Sequence, residues 1–304
     1  MTIGETYAWM TDRLKTIYDE REASSVTGLV MESRMGLQHI DRILRRSEPL
    51  APSAETRLAA DVDALLRNEP VQYVLGEAWF DGLLLKVDRH VLIPRPETEE
   101  LVHWVAADIA AAAKSSQASS PAPASTPSSG AARPAILDIG TGSGCIPIAL
   151  RKRLPYAELT GLDISPDALA VARENGTRYA PTVQWIQADI LDETHWNDLP
   201  VYDIVVSNPP YIASAERSDM HTRVLAHEPH LALFVPDHDP LLFYRKIARF
   251  CKTQLCAGGA LYLEINEALG EETKALLQEE GFGEIILKKD LQEKDRMIRA
   301  ERLT

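Results

Sequence analysis

Apolar positions in this chain repeat first with a helical period and later with a strand period. In "SRMGLQHIDRILRR", Met35, Ile40, Ile43 and Leu44 fall near helical spacing, and in "SAETRLAADVDALLRN" Leu58, Val62, Leu65 and Leu66 do the same. Ser53 ahead of Glu55 and Thr56 is a candidate helix start. Strand signals are sparse here, so residues 1–75 are expected to form a small helical domain. From Pro70 the texture changes to short apolar runs broken by Gly and Asp, as in "VLGEAWFDGLLLKV". A β-hairpin linker is expected over 76–96. Two prolines in "IPRPETEE" fix an extended turn before a helix that starts near Glu97.

Beyond residue 134 strand and helix alternate regularly. The strands are "AILDIG", "ELTGLDI", "VQWIQAD", "YDIVVS", "GALYLEI", "GEIILKKD" and "DRMIRAERL". Helices lie between them in "CIPIALRKRL", in "SPDALAVARENGTRY" with Ser165 as N-cap, in "PLLFYRKIARFCKTQL", and in "EALGEETKALLQEEG" ended by Gly281. This order predicts a doubly wound α/β domain over 97–304 with a mostly parallel sheet. The short link "LQEK" makes the last two strands a hairpin, so one strand runs antiparallel. Residues 114–134, rich in Ala, Ser and Pro, are expected to be a flexible insertion, because they cannot bury enough surface to offset the entropy of ordering.

Composition narrows the function classes. The 304 residues are 45% hydrophobic and 25% charged, values of a soluble globular protein. No apolar run approaches the ~20 residues needed to span a bilayer. The N-terminus lacks a basic start followed by an apolar core, and three cysteines show no metal-ligand spacing, so a cytoplasmic protein with reduced thiols is expected. The net charge of -13, with no run of Lys and Arg, argues against a nucleic-acid-binding surface. His221, His227 and His230 match no metal-ligand motif, so no metal is expected.

Candidate chemistry gathers where the parallel strands end, since ligands in such sheets bind outside the carboxyl ends. The first strand ends in "LDIGTGSGCIP", where Gly140, Thr141, Gly142, Ser143 and Gly144 form a tight turn before a helix N-terminus. The second ends at Asp163, about twenty residues after the glycines, where a carboxylate can accept from ribose hydroxyls. The third ends at Asp189, followed by Ile190, placed to meet an adenine. The fourth ends in "SNPPYI". There Asn208 and the Pro209 carbonyl can accept both hydrogens of a planar amide or amine nitrogen, Pro210 keeps these acceptors rigid, and Tyr211 can stack on the planar group. Such a nitrogen is a poor nucleophile, so orientation toward an electrophilic methyl is what the site must supply.

In "LIPRPETEELV", "LDIGTGSGCI", "VSNPPYI" and "HEPHLAL", in that order, the chain resembles the HemK/PrmC family of release factor glutamine methyltransferases over nearly its whole length. The resemblance implies a class I S-adenosylmethionine-dependent methyltransferase fold, Rossmann-like with seven strands, plus a small N-terminal helical domain for substrate recognition. It also implies methylation of the glutamine N5 in the GGQ motif of class 1 peptide chain release factors, a step in translation termination. By resemblance, Gly140 to Gly144 with Asp163, Asp189, Ile190 and Asn208 would hold S-adenosyl-L-methionine. Asn208, Pro209, Pro210 and Tyr211 would hold the target glutamine, with Pro94, Arg95 and Glu97 lining the same cavity and Glu228 bracing it. Residue 190 is Ile where some relatives carry a bulky aromatic, and "LEINEALGEE" replaces a glycine-containing turn.

Other readings remain open at this level. Adenine-N6 DNA and some ribosomal RNA methyltransferases share NPPY, but they need a basic target surface. A dinucleotide-binding oxidoreductase would explain the glycines and Asp163 while leaving NPPY without a task. A silent release-factor-binding protein would keep the fold and lose the chemistry.

Overall fold

The computed structural model describes residues 1–118, 133–213, 215 and 222–303. It divides into two compact units, one built on Met1–Glu77 and the other on the sheet and its covering helices.

In the first unit, α1 (Ile3–Leu14), α2 (Glu20–Met35), α3 (His39–Leu44), α4 (Pro52–Leu66) and α5 (Val71–Leu75) surround a core of Met10, Leu14, Val30, Met31, Val62 and Leu65. Helix α1 opens with a capping box between Thr2 and Glu5, and α2 opens on the Asp19 side chain. Two details differ from the sequence reading. Helix α4 begins at Pro52, whose fixed φ suits the first helical position, and not at Ser53. The run through Met35, Ile40, Ile43 and Leu44 is not one helix, because α2 ends at Gly36 and the last three residues sit on the short α3. There Ile40, Ile43 and Leu44 are 55%, 53% and 76% exposed, so the spacing signal did not mean burial. Arg34 and Asp61 form a half-buried bidentate pair at 2.9 Å, and the same guanidinium donates to the Val74 carbonyl.

The hairpin expected over 76–96 forms as β1 (Glu77–Phe80) and β2 (Leu83–Lys86), joined at Asp81–Gly82. Lys152 and Arg153 grip Asp81 through its carbonyl and carboxylate. Helix α6 (Pro96–Ala118) continues into the segment expected as a loop over 114–134. Alanine has the best helix propensity, and "IAAAAK" carries the helix through the first residues of that segment. Residues 119–132 of the insertion lie outside the described residues.

After α6 come β3 (Ala135–Ile139), α7 (Cys145–Arg153), β4 (Glu158–Asp163), α8 (Pro166–Tyr179), β5 (Gln184–Gln187), β6 (Tyr202–Ser207), β7 (Ile212–Ala213), α9 (Thr222–His227), β8 (Phe234–Val235), α10 (Leu242–Gln254), β9 (Leu255–Glu264), α11 (Gly270–Glu279), β10 (Phe282–Lys289) and β11 (Asp295–Arg302). The main sheet has seven strands in the order β10-β11-β9-β6-β3-β4-β5. Its parallel pairs run from β9 through β6, β3 and β4 to β5, and β11 is antiparallel to both neighbours. Mostly parallel seven-stranded topology with one reversed strand agrees with the expectation.

Strand alternation builds a core on each face. Leu137, Ile139, Val205, Leu261 and Leu263 point to the side of Tyr244, Ile247 and Phe250 of α10. Their neighbours Ile136, Ile204, Val206, Ala260 and Tyr262 point to the side of Phe80, Leu101 and Val105. Chain order reverses at β3, with β4 on one side and β6 on the other. The crevice outside the ends of β3 and β6 is therefore the topological switch point, where ligands settle in open α/β sheets. Among the described residues no helix is long and apolar enough to cross a membrane.

Candidate active site

Both motif-bearing strand ends meet at that switch point. Ser207, the last residue of β6, donates its hydroxyl to the Ile139 carbonyl at the end of β3, 2.6 Å away. A cavity of about 320 Å³ opens there, a size typical of small-molecule sites. Its lining includes Gly140, Gly142, Asp163, Asp189, Ile190 and Asn208, together with Pro209 and Pro210. Four strand ends that the sequence marked separately thus share one wall.

The glycine turn is shaped for close approach. Gly140 and Gly142 have φ of +74° and +52°, and a Cβ added at either would meet nothing within 4 Å, so their backbone faces open space. The Gly142 N–H donates to Asp163 Oδ2 at 2.8 Å, and the Ser165 N–H donates to Oδ1 at 2.9 Å. Asp163 therefore ties the turn to the start of α8 and still offers lone pairs toward the cavity. Burial pushes its carboxyl upward, and the backbone donors at Ser165 and Gly142 oppose that shift. Asp189 Oδ1 accepts from the Leu191 N–H at 2.8 Å, which fixes the loop after β5.

Gly144 does a different job from its two neighbours. Trp185 lies across Gly144, Gly161 and Gly176, and an added Cβ would come within 2.7, 2.6 and 2.8 Å of its ring. The third glycine of the turn makes room for a core indole, and Gly144, like Thr141 and Ser143, does not line the cavity. Gly144→Ala should lower stability by at least about 1–3 kcal/mol, since it adds a clash at a φ of +79°. Thermal unfolding checks this; a melting temperature equal to wild type would show that Trp185 yields freely.

A buried polar cluster lies around the turn. Asp138 is 1% exposed, and among the described residues none meets its carboxylate with full hydrogen-bond geometry. Burial pushes it up to about 7, with the Thr141 hydroxyl opposing and Asp163 adding to the rise. A carboxyl whose pKa rises on folding holds its proton more tightly in the native state. Its contribution is therefore intact at pH below the unfolded value of about 3.9 and is lost as pH climbs toward about 7. Asp138→Asn should accordingly raise the melting temperature at about pH 8 and change it little at about pH 4. An equal effect at both values would contradict this assignment.

The NPPY stretch is held from behind by residues the sequence reading did not single out. Asn208 Nδ2 donates to Thr98 Oγ1 at 3.1 Å, and Thr98 Oγ1 donates to Glu264 Oε2 at 2.6 Å. The Tyr211 hydroxyl reaches Glu264 Oε1 at 3.3 Å, and its carbonyl accepts from Asn266 Nδ2. Thr98 comes from the "RPETEE" motif on α6, and Glu264 ends β9. The two signature motifs thus converge on one carboxylate that is 1% exposed. Burial raises Glu264 to about 7 against the pull of Thr98, Arg296 and Tyr211, while Glu97 adds to the rise. Burial and the neighbouring carboxylate also raise the Tyr211 phenol, which stays protonated and donates.

Comparison with known proteins decides the family. Residues 5–76 match the PrmC N-terminal domain, and residues 127–233 match the Methyltransferase small domain. The release factor glutamine methyltransferase of Flavobacterium psychrophilum is 40% identical over 94% of this chain and 94% of its own length. That of Bacteroides thetaiotaomicron is 36% identical over 97% of this chain and 98% of its own. This chain belongs to the release factor glutamine methyltransferase family. Among solved structures, the catalytic domain of hMettl16 in complex with the MAT2A 3'UTR hairpin 6 covers 83% of this chain and 82% of its own at a TM-score of 0.54. At 14% identity, that likeness speaks for the methyltransferase fold alone.

Within this family member, some expected site residues do not reach the cavity. Pro94, Arg95, Glu97 and Tyr211 are absent from its lining, where His90, Val91 and Leu92 stand instead. The extended turn before α6 contributes its earlier residues to the wall, and Tyr211 turns its hydroxyl inward to Glu264. Glu228 is buried, 4% exposed. His221 lies outside the described residues. Among the described residues no cluster of His, Cys, Asp and Glu has the grouping of a metal site.

Proposed function

We propose that this chain methylates the side-chain N5 of the glutamine in the GGQ motif of class 1 peptide chain release factors, with S-adenosyl-L-methionine as donor. The observation that carries the reading is that the glycine turn, Asp163 and Asn208 open onto one cavity at the switch point. The residues fit the donor. Gly140 and Gly142 leave room for a close ligand, Asp163 keeps acceptor capacity for ribose hydroxyls, and Asp189 with Ile190 supplies a polar edge and an apolar wall for adenine. S-adenosylmethionine supplies a methyl carbon on a positively charged sulfur, which leaves as a neutral thioether when the amide nitrogen takes the carbon.

The chain's own part is orientation. Asn208 Oδ1 and the Pro209 carbonyl accept the two N–H groups of the target amide, which aims the nitrogen lone pair along the line of attack. Pro209 and Pro210 keep those acceptors rigid. Tyr211 supports them from beneath through Glu264, and Arg95 lies on the entry to α6 as a contact for the protein substrate. After transfer the nitrogen is acidic enough to release its proton to water without a dedicated base. No metal takes part in this scheme.

Residues 1–75 recognise the release factor, 76–96 link the two parts, and 97–304 carry the chemistry. A fragment of residues 75–304 should then keep donor affinity while methylating an intact release factor far more slowly; full activity from it would refute the docking role. The release factor is the partner, and the cytoplasm is the place of action.

An acceptor competition tests the substrate class. Labelled donor is offered a release factor, duplex DNA and ribosomal RNA together, and the label should enter the protein. The net charge of -13 supports this outcome over a phosphate-binding role. Label in either nucleic acid, or nucleic-acid retention in filter binding at low salt, would favour the rival methyltransferase.

A further inference from the structure

We propose that Glu264 is a positioning residue for methyl transfer: its carboxylate accepts the Thr98 hydroxyl's hydrogen bond, so that Thr98 must accept from Asn208 and the Asn208 oxygen is left to face the cavity. The inference rests on the reading of Asn208 Oδ1 as acceptor for the target amide and explains how that oxygen is oriented.

A threonine hydroxyl has a single proton and two lone pairs. Thr98 Oγ1 stands between Glu264 Oε2 at 2.6 Å and the Asn208 amide at 3.1 Å, and Thr98 is 2% exposed. An ionised carboxylate can only accept, so the hydroxyl proton goes to Glu264. Thr98 then offers Asn208 only a lone pair, and Asn208 must answer with Nδ2. The two ends of an amide differ little in shape, so its hydrogen bonds fix which end points where. A protonated Glu264 reverses the chain. Its O–H can donate to Thr98, the threonine proton turns to Asn208, and Oδ1 swings inward. The cavity would then meet an NH₂ group, which repels the N–H groups of a target amide.

Several groups face Glu264. Arg296 on β11 favours the ionised form, as does the Tyr211 hydroxyl, and Glu97 on α6 opposes it. Tyr244 on α10 and Cys145 on α7 also feel its charge, and burial keeps both protonated. Arg296 is itself held by Asp290 and Glu267 at 3.1 and 3.0 Å. The balance brings Glu264 to about 7, so its protonation changes across neutral pH.

The test is a pH profile of kcat on a release factor at saturating methyl donor, from about pH 5.5 to 8.5. Wild-type kcat should rise through a limb near 7, because the active form is the ionised one, and then level off. Glu264→Gln should flatten that limb and sit about tenfold below the wild-type plateau. Thr98→Val should behave alike, and Thr98→Ser, which keeps the hydroxyl, should recover both rate and limb. Donor affinity by calorimetry should stay within about threefold in all of them. A Thr98→Val or Glu264→Gln enzyme with wild-type plateau and limb overturns the proposal. So does a loss that appears in donor affinity, which would make the contact merely structural. Asn208→Ala serves as the reference: if it too is fully active, the reading of the site itself fails, whereas an inactive Asn208→Ala beside a normal Thr98→Val removes only the positioning role.

Discussion

Asn208→Ala should lower turnover on a release factor by about two decades or more, on the order of 3 kcal/mol, while donor binding stays near wild type. The substitution removes the acceptor that orients the target nitrogen and leaves the glycine turn and the Asp163 contacts to Gly142 and Ser165 in place. Single-turnover rates with separately measured donor affinity distinguish the two effects. Asn208→Asp is a sharper variant. It retains an oxygen but brings a negative charge beside a sulfonium whose positive charge disperses during transfer. That charge stabilises the ground state more than the transition state, so tight donor binding with slow transfer is expected. Near-normal turnover in both variants would reduce NPPY to a rigid strand exit.

Asp163→Ala should act on the other substrate. It removes the acceptor that anchors Gly142 and Ser165, and with it the acceptor proposed for two ribose hydroxyls. Hydrogen bonds to a charged group are worth roughly 1.5–3 kcal/mol each, so donor affinity should fall by about two decades or more. Stability should change less, because the carboxyl is held up by burial and its removal relieves a desolvated charge. Calorimetry with S-adenosylmethionine checks this, and unchanged affinity would place the donor elsewhere.

The strand ends were legible in the sequence because each rests on local signals. A β-branched run, a glycine turn or a double proline can be read within ten residues, and alternation of elements then brings their ends to one edge. Glu264 was not legible, because its meaning depends on Thr98, 166 residues away, and on a parallel sheet that puts β9 beside β6. The role of Gly144 was hidden for the same reason: the indole that needs the space comes from β5. Apolar spacing misled where a glycine interrupts it, leaving Ile40, Ile43 and Leu44 exposed on α3. Low complexity misled at the start of the 114–134 segment, where alanine propensity extends α6 to Ala118.

The glutamine N5 is the atom that the site must orient. Incubating the enzyme with isotopically labelled S-adenosylmethionine and a recombinant class 1 release factor, then mapping the product by fragmentation mass spectrometry, reads it directly. A single labelled methyl is expected on the side-chain nitrogen of the GGQ glutamine, cut by about two decades or more in rate when Asn208→Ala replaces wild type. A label on any other residue, or one that persists undiminished with Asn208→Ala, would contradict it.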